Sequence, residues 1–433
     1  MLPAAVVAQE ISPVELESPI LPDSTVSDPA SIVGTSVLPD PSMSAMDVQP
    51  ATYMGCDACG SIGCGGCDEF AGPGFQCPPG LGLWVRADYL IWYEKDSDMI
   101  PLVTNSTGFP ADPADLLTLN AAETGILFGG EEINDNPLDG WRVEIGAWLD
   151  AAATHGILAR YFDVAGRDIT FNAGPGDENF LGIPFFDPDI DSEDALGLII
   201  PNERTGIVDI NLRGDVKNWE ILFRRLADTG ANYRYDWLYG YRNFSLDETL
   251  RIDASTLTTG GNTSPIDTLI ELTDQFDVEN RFNGIDLGLT GHSHQGCWSL
   301  DFLMKIALGV MEKEVDVSGT QLISIPGVDP VRNVGGLFSQ ESNIGQNDET
   351  EFAVIPEFDL NLGYGITPNL DLTIGYTFIF VSNLVRAGEA IDRVVDPGLA
   401  ADIDPVNSNR PQVLLDGGSY YIHGVNFGVT GRF

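Results

Sequence analysis

The sequence predicts an all-β protein, a transmembrane antiparallel up-and-down β-barrel of about ten strands, with twelve strands as the alternative. Three observations support this prediction. Polar and apolar residues alternate with period two over many segments, which is typical of strands whose two faces meet different surroundings. The connections between these segments alternate between short and long. No run of about 18 apolar residues is present to form a transmembrane helix, and a closed barrel is the other structure that satisfies backbone hydrogen bonds in lipid.

Residues 1–80 differ in composition from the rest of the chain. They contain no Lys, Arg or His, and eight prolines fall within the first fifty positions. We interpret 1–80 as a disordered leader that is acidic and Pro-rich at first and then rich in Gly and Cys. The small residues of Ala5–Gln9 have the spacing of a signal-peptide end, so a remnant of a signal region is expected there. The barrel is predicted for residues 81–433.

Ten segments beyond residue 80 show the alternation. In the first, Val85, Ala87 and Tyr89 form an apolar face, whereas Arg86 and Asp88 belong to a charged face. The segments are 83–95, 138–150, 153–164, 205–227, 232–252, 272–291, 296–317, 350–366, 369–382 and 418–433. About ten residues are enough for a tilted strand to cross a bilayer, so the longer segments imply that the sheet projects beyond it.

The connections predict which end of the barrel faces which compartment. The short ones are Ala151–Ala152, 228–231, 292–295 and 367–368, and the others are tens of residues long. Outer-membrane barrels have short periplasmic turns and long extracellular loops. An even number of strands brings the first and last strand to the short-turn side, so we expect Leu81 and Phe433 in the periplasm.

The last strand has a pattern of its own. Val425, Phe427, Val429 and Phe433 are apolar residues in its two-residue repeat, with Gly431 as the one departure. A terminal aromatic residue preceded by such a repeat resembles the insertion signal that the barrel-assembly machinery reads. An ordinary edge strand is the alternative, although chain termini in soluble folds usually fray.

Charged residues on the polar faces are the candidate site residues, because the alternation directs them into the barrel. They are Arg86, Asp88, Arg142, Glu144, Arg160, Arg234, Asp236, Arg242, Asp286, Asp301, Lys305, Glu357, Asp359 and Asp371. Buried charges must pair, since each unpaired charge costs several kcal/mol. A ten-stranded barrel is only slightly wider than one that side chains fill. We therefore expect a narrow lumen crossed by ion pairs, with a path for a small solute or a cation as the alternative.

The formal net charge is -44, from 65 acidic and 21 basic residues. This charge repels phosphates, so nucleic-acid binding is not expected. Val164–Arg204 contain nine acids and two bases, which predicts a solvated acidic outer loop. Asp187, Asp189 and Asp191 are weak calcium candidates, because the Gly and Glu spacing of an EF-hand loop is absent. No cofactor and no resident metal are expected.

Six cysteines are present. They are Cys56, Cys59, Cys64, Cys67, Cys77 and Cys297. The first four form two Cys-x2-Cys pairs, which can hold zinc or an iron–sulfur cluster, but in a secreted protein disulfides are favoured. Pairing among the five leader cysteines leaves one cysteine unpaired. That cysteine could form a disulfide with Cys297 or with a cysteine of a neighbouring barrel, so the connectivity stays open.

Short motifs in residues 81–433 resemble the seventh beta-barrel porin family of outer-membrane proteins. The motifs are Leu83–Trp92, Ile126–Gly130, Gly140–Arg142, Gly240–Arg242, Leu246–Glu248, Asn280–Gly284, Ala307–Gly309, Ile355–Glu357 and Gly375–Phe378. The resemblance implies a barrel fold and a location in the outer membrane more firmly than it implies transport.

We therefore expect an integral outer-membrane barrel, structural or porin-like, with a narrow charge-lined lumen and long acidic extracellular loops. Its expected partners are outer-membrane lipid, the barrel-assembly machinery and further copies held by disulfides or non-covalent contacts. A secreted surface or adhesive β protein without a membrane-spanning barrel is the alternative. A barrel enzyme is disfavoured, because His155, His292 and His294 fall in or beside predicted periplasmic turns, away from the outer rim.

Overall fold

The computed structural model describes residues 82–130, 132–133, 136–261, 264–397 and 409–433. The leader at 1–80 lies outside these residues, so its disorder and the domain boundary at residue 81 stay predictions. The described residues are almost entirely β, with one short 3-10 helix at Pro113–Asp115. None of their helical segments is long and apolar enough to cross a membrane.

Ten antiparallel strands close into one barrel, which confirms the predicted fold class and strand number. The strands are β1 (Leu83–Glu94), β2 (Leu138–Trp148), β3 (His155–Ala173), β4 (Arg204–Thr229), β5 (Tyr233–Thr258), β6 (Leu269–Gln295), β7 (Trp298–Ser324), β8 (Gly345–Thr367), β9 (Leu370–Leu384) and β10 (Gly418–Arg432). Each strand pairs with the next in sequence, and β10 closes the ring with Arg432 opposite Trp84. One additional short strand, Val331–Val334, pairs with the end of β7. Closure satisfies the backbone hydrogen bonds of the wall within the protein itself.

The barrel has a turn end and a loop end, as the spacing of the segments predicts. At the turn end, short connections join β2 to β3, β4 to β5, β6 to β7 and β8 to β9, and the amide of Phe433 donates to the carbonyl of Leu83. The loop-end connections are 95–137, 174–203, 259–268, 325–344 and 385–417. The connection 259–268 is shorter than the other four, because β5 extends to Thr258 and β6 already begins at Leu269.

One side of the barrel wall is much taller than the other. Strands β4 and β5 each have 26 residues and β6 and β7 each have 27, whereas β1 has 12 and β2 has 11. Strand β3 also runs to Ala173, well past its predicted end at 164, because these additional residues pair with β4 up to Val208. The tall wall projects beyond the rest at the loop end.

The outward faces of β5 and β6 change from apolar to polar at the same level of the sheet. On β5 the outward residues from Tyr233 to Tyr241 are all aromatic, and from Asn243 onward they are mostly polar or charged. Asn243 lies opposite Asn283 of β6, and the outward face of β6 is likewise polar from Asn283 toward the loop end and apolar from Ile285 toward the turn end. Eight residue steps of about 3.4 Å, tilted by about 40°, give this apolar band a height of roughly 20 Å. Barrels that cross the outer membrane have a band of similar height.

Loop segments fill the inside of the tall wall above the apolar band. Four loop strands form a second sheet; they are Val103–Ser106, Thr124–Phe128, Leu181–Asp187 and Ser192–Ile199. Ser97–Asp98 pairs with Glu132–Ile133 beside this sheet. Phe185 of the loop sheet, Val385 of the segment after β9 and the inward Phe276 of β6 belong to one buried apolar cluster. The loop end is therefore packed like the core of a globular domain.

Candidate functional site

Charged side chains from strands that are not neighbours meet inside the barrel. Arg142 on β2 donates from Nε to Asp88 on β1 and from Nη1 to Asp359 on β8, each at 2.8 Å. Because β2 and β8 are not adjacent in the sheet, the second contact crosses the interior. Arg86 extends the set by binding Asp88 at 2.8 Å and Asn361 at 2.6 Å.

Glu357 on β8 collects three cations. It accepts from Arg160 Nη2, accepts from Arg242 Nη1 at 2.7 Å and lies 3.2 Å from Lys305 Nζ. Glu220 on β4 contacts Arg160 Nε at 2.6 Å and also contacts Lys305. Two carboxylates thus connect strands on opposite sides of the barrel.

We call this cluster the ion-pair network. Its members are Arg86, Asp88, Arg142, Arg160, Glu220, Arg242, Asp286, Lys305, Glu357 and Asp359. Among the described residues it contains five cations and five anions, and every member except Arg86 is at most 5% exposed. Charges buried this deeply are tolerated when they are paired and hydrogen-bonded. The equal numbers allow each charge to have a partner.

A second cluster lies between the network and the turn end. The rings of Trp84 and Trp148 lie 5.3 Å apart, and the Arg224 guanidinium lies 5.2 Å from the first ring centre and 4.7 Å from the second. Arg224 and Arg234 both bind Asp236, at 2.8 and 2.7 Å. Cations stacked on tryptophan rings in a desolvated site are worth about 2 kcal/mol each. In this turn-end cluster, the contacts hold Arg224 between the two tryptophan rings and Asp236.

On the other side of the network, the segment that follows β9 is held inside the barrel. Arg386 donates to Glu248 Oε1 from Nε at 2.8 Å and from Nη2 at 2.6 Å, and the Ala387 amide donates to Glu248 Oε2 at 2.9 Å. Asn280 on β6 exchanges two 2.8 Å hydrogen bonds with the backbone of Val385. We call residues 385–397 the inner loop segment. Its first residues are fixed by β5 and β6.

Several predicted lumen residues lie apart from the network. Glu144 accepts a 3.0 Å hydrogen bond from the indole of Trp84, which belongs to the turn-end cluster. Arg234 and Asp236 are members of the same cluster. Asp301 pairs with His292 near the turn end, and Asp371 lies 2.5 Å from an arginine guanidinium at the end of β10. The structure thus divides the predicted residues between a central network and smaller clusters toward the turn end.

Two important residues escaped the sequence reasoning. Glu220 alternates with the outward residues Trp219 and Ile221, so the period-two pattern of β4 contained the signal for its inward position. Arg386 lies in a long connection without periodicity, so nothing in the pattern indicates that its side chain enters the barrel. Only the packing of the inner loop segment brings it to Glu248.

The calcium candidates lie in the loop sheet and the turn after it. Asp187 is buried and accepts a 2.8 Å hydrogen bond from the Asp189 amide, and Asp191 has a φ of 52°. Desolvation and the nearby carboxylates of Asp396 and Asp187 raise the pKa of Asp189. In the part of the chain that the structure describes, no three His, Cys, Asp or Glu side chains are arranged to hold a metal ion.

The remaining predicted residues lie at the turn end or beyond the described ranges. Five cysteines lie outside the described residues, so the pairing of the cysteines stays a prediction, and Cys297 lies in the turn between β6 and β7. Val425, Phe427 and Val429 point outward from β10, and Phe433 follows its end with 66% of its surface exposed. Recognition of these four residues by the barrel-assembly machinery stays a prediction.

A closed ten-stranded barrel with an apolar outer band and a charged interior defines the class of outer-membrane β-barrels. The chain belongs to the Putative beta barrel porin-7 (BBP7) family, whose family model matches residues 84–433. The resemblance found in the sequence motifs is therefore confirmed. Among curated proteins, none matches this chain.

Solved structures of other barrels are similar to this chain. The outer membrane protease OmpT from Escherichia coli has 12% identity and a TM-score of 0.40, over 81% of this chain and 96% of its own. The toluene transporter TodX from P. putida has 6% identity and a TM-score of 0.20, over 82% and 91%. The toluene transporter TbuX from Ralstonia pickettii has 9% identity and a TM-score of 0.16, over 82% and 90%.

Proposed function

We propose that this protein is an integral outer-membrane barrel with a structural role and an interior closed to solutes. The observation that carries the proposal is the ion-pair network, which crosses the lumen through contacts such as Arg142–Asp359 and Arg242–Glu357. A solute moving through the barrel must separate pairs of deeply buried charges. Leaving one such charge without its partner costs about 3 to 5 kcal/mol. A water-filled porin presents no comparable barrier.

Apolar layers on both sides of the network support a closed interior. Leu158, Leu222 and Leu238 form a buried cluster toward the turn end. Phe162 and Phe244 belong to a larger buried cluster toward the loop end. Channels that conduct ions and sugars have polar walls along their whole length. Two apolar layers therefore add a second barrier to hydrophilic solutes.

In this proposal the turn end faces the periplasm and the acidic loops face the exterior, as in other outer-membrane barrels. The apolar band contacts membrane lipid, and the barrel-assembly machinery reads Val425, Phe427, Val429 and Phe433. The cysteine-rich leader at 1–80 lies in the periplasm, where its thiols allow disulfide-linked self-association. A non-reducing gel that shows only monomer would remove the disulfide-linked form.

The proposed role is not catalytic. His155 and His292 lie at the turn end, with His294 beside them on β6, and His423 faces outward from β10, where it is hydrogen-bonded to Tyr376 at 2.9 Å. A hydrolase that used histidine as its general base on an external substrate would need that histidine at the loop end, facing the interior or the loops. Three of the four histidines lie at the turn end, and His423, opposite Tyr93 in the loop-end half of β10, faces outward from the barrel.

Single-channel recording in planar bilayers tests the closed interior. The purified protein is first shown to be inserted by its heat-modifiable migration on gels and its protease resistance in vesicles. We expect no stable conductance steps across many verified insertions. Reproducible steps from the wild-type protein would contradict the proposal and favour a narrow charge-lined porin.

Membrane extraction tests the location. We expect the protein to stay with the outer-membrane fraction after carbonate and high-salt washing, since its apolar band must be covered by lipid or detergent. Release into the wash in a form that needs no detergent would contradict the membrane proposal. It would favour a secreted surface protein instead.

A further inference from the structure

A concavity of about 890 Å³ lies on the outward face of the barrel, where residues of β5 to β9 line it. Its aliphatic side chains include Leu287 and Leu289 on β6 and Met304 and Ile306 on β7, at outward positions in the alternation. Leu287 pairs with Ile306, and Leu289 pairs with Met304, so the four side chains form two adjacent rows. The concavity therefore has an aliphatic floor that extends across two neighbouring strands.

Aromatic side chains bound this floor on both sides. Trp237 and Tyr239 lie on β5, in register with the floor residues of β6. Phe358 on β8 and Phe378 on β9 lie on the other side, in register with Met304. From β5 to β8 there are three inter-strand spacings of about 4.8 Å, so the aromatic walls are roughly 14 Å apart. Large rings stand on both sides of smaller aliphatic side chains, which leaves a depression between them.

The depression lies at the middle of the apolar band. Met304 is six residues from Trp298 and six from Val310, and the outward residues of β7 are all apolar or aromatic between these two. The next outward residue toward the loop end is Glu312, where the band has ended. Lipid headgroups lie beyond the ends of such a band, whereas its middle contacts hydrocarbon. The position therefore favours a hydrocarbon chain as the occupant.

We propose that this concavity, which we call the acyl groove, holds one acyl chain of a membrane phospholipid in an ordered position. The inference rests on the proposed membrane location of the barrel. The volume lies within the range of about 300 to 1,000 Å³ that is usual for small-molecule sites. A flexible hydrocarbon chain needs no hydrogen bond, and between the walls it contacts protein on three sides. On the flat remainder of the band it contacts protein on one side, so the groove offers more dispersion contacts.

The chemistry of the lining supports an uncharged occupant. Among its outward side chains, Trp237 and Tyr239 carry the only hydrogen-bond donors, and both belong to one wall. Lys305 and Glu357 also contribute to the lining, but they occupy inward positions, and their charged groups contact each other in the ion-pair network. The groove thus presents no charge to bind a headgroup, so we expect no headgroup preference.

A second copy of the chain fits the groove less well. A two-fold axis through this face would place groove against groove, because the same surface patch then meets itself. The two depressions would enclose a void, whereas well-packed protein contains few voids larger than a water molecule. Dimerisation through this face is therefore the competing outcome of the test.

Quenching by a phospholipid that is brominated in its acyl chains tests the groove, because bromine quenches tryptophan fluorescence at close contact. In a reporter variant of the full chain, Trp141→Phe, Trp219→Phe and Trp298→Phe leave Trp237 as the exposed tryptophan. We expect the lipid-free reporter variant, refolded in detergent, to show quenching that saturates near one phospholipid per barrel. Ethanolamine and glycerol headgroups should give the same curve. Quenching that rises without saturation would overturn the ordered site.

A control reporter that retains Trp141 in place of Trp237 should show no saturable quenching, since Trp141 faces outward from β2 on another part of the wall. Saturation that is equal in the two reporters would show that the whole band binds lipid alike. A strong headgroup preference would overturn recognition through the chain.

Two matched double variants test the floor of the groove. Leu287→Phe with Leu289→Phe adds two rings to the floor, so saturable quenching of Trp237 should weaken at least tenfold. Leu370→Phe with Leu372→Phe makes the same change at outward positions of β9 beyond the lining and should leave quenching unchanged. Equal quenching in both double variants would refute the assigned site. A dimer of the lipid-free protein that only the first double variant abolishes would replace the acyl chain by a second copy.

Heat-modifiable migration of every variant verifies that the barrel is folded. A protein that remains in carbonate-washed membranes but shows no saturable quenching would refute the acyl groove alone. Release of the protein into the wash would refute the proposed location and the groove together.

Discussion

Glu357→Gln tests whether the ion-pair network stabilises the barrel, because the amide keeps the shape of the side chain and removes its charge. The carboxylate accepts from Arg160 and Arg242 and lies 3.2 Å from Lys305 Nζ. After the substitution the network has five cations and four anions, on side chains that are almost completely buried. Lys305 keeps contacts with Glu220 and Asp286, whereas Arg242 loses its only ionic partner in the network.

The size of the effect follows from these contacts. A hydrogen bond to a charged group contributes about 1.5 to 3 kcal/mol, and the amide oxygen can retain roughly one of the three contacts. Removing one partner of a buried ion pair costs about 3 to 5 kcal/mol in other proteins. The first estimate gives a loss of about 3 to 6 kcal/mol and the second a loss of about 3 to 5 kcal/mol, so we expect the free energy of unfolding to decrease by about 3 to 5 kcal/mol. That decrease is a factor of about 150 to 4,000 in the unfolding equilibrium.

Urea unfolding in thin-bilayer vesicles, followed by tryptophan fluorescence, measures this change. Glu312→Gln is the matched control, because Glu312 is an exposed outward residue above the apolar band, and we expect a change within about 0.5 kcal/mol. The double variant Glu357→Gln with Arg242→Gln restores the charge balance and should lose less than the sum of the two single variants. A loss below about 1 kcal/mol for Glu357→Gln would refute the structural role of the network.

Three further predictions concern the loop, the band and the last strand. Glu248→Ala removes the ionic partner of Arg386, so residues 385–397 should become sensitive to external protease while the barrel remains heat-modifiable. Unchanged cleavage would show that apolar packing alone holds the inner loop segment. Leu287→Arg should lower the free energy of unfolding by about 2 to 4 kcal/mol, because Leu287 faces outward within the apolar band. Gln275→Arg, which lies above the band on the same strand, is the control and should be nearly neutral. Equal effects of the two substitutions would place the band elsewhere. Phe433→Ala should reduce the inserted, heat-modifiable fraction in cells without changing the stability of protein refolded in detergent, and normal insertion would argue against an insertion signal.

The period-two pattern was sufficient for the strands and for most of the network. Arg142, Arg160 and Glu357 could be assigned to the interior because their neighbours in sequence are apolar and outward. The same rule applies to Glu220, which shows that the pattern is informative even at a position that was overlooked. Which anion pairs with which cation could not be predicted, because strand tilt and stagger decide which inward residues share a height.

The loop end was much less predictable. Val164–Arg204 has the composition of a solvated acidic loop, yet part of it continues β3 and part forms two strands of the loop sheet, where Ile183 and Phe185 are buried. Its charges dominated the composition, whereas a few apolar residues determined the packing. The inner loop segment is a second example, because its buried valines and alanines have no regular spacing.

The sequence by itself determined the β class, the ten strands, the turn end and loop end, and the direction of most charged side chains. These properties follow from local alternation and from the lengths of connections, which depend on a few adjacent residues. Only the tertiary structure decided which charges pair across the barrel and that residues 385–397 enter it. Those contacts join residues more than a hundred positions apart, and closure of the sheet brings them together.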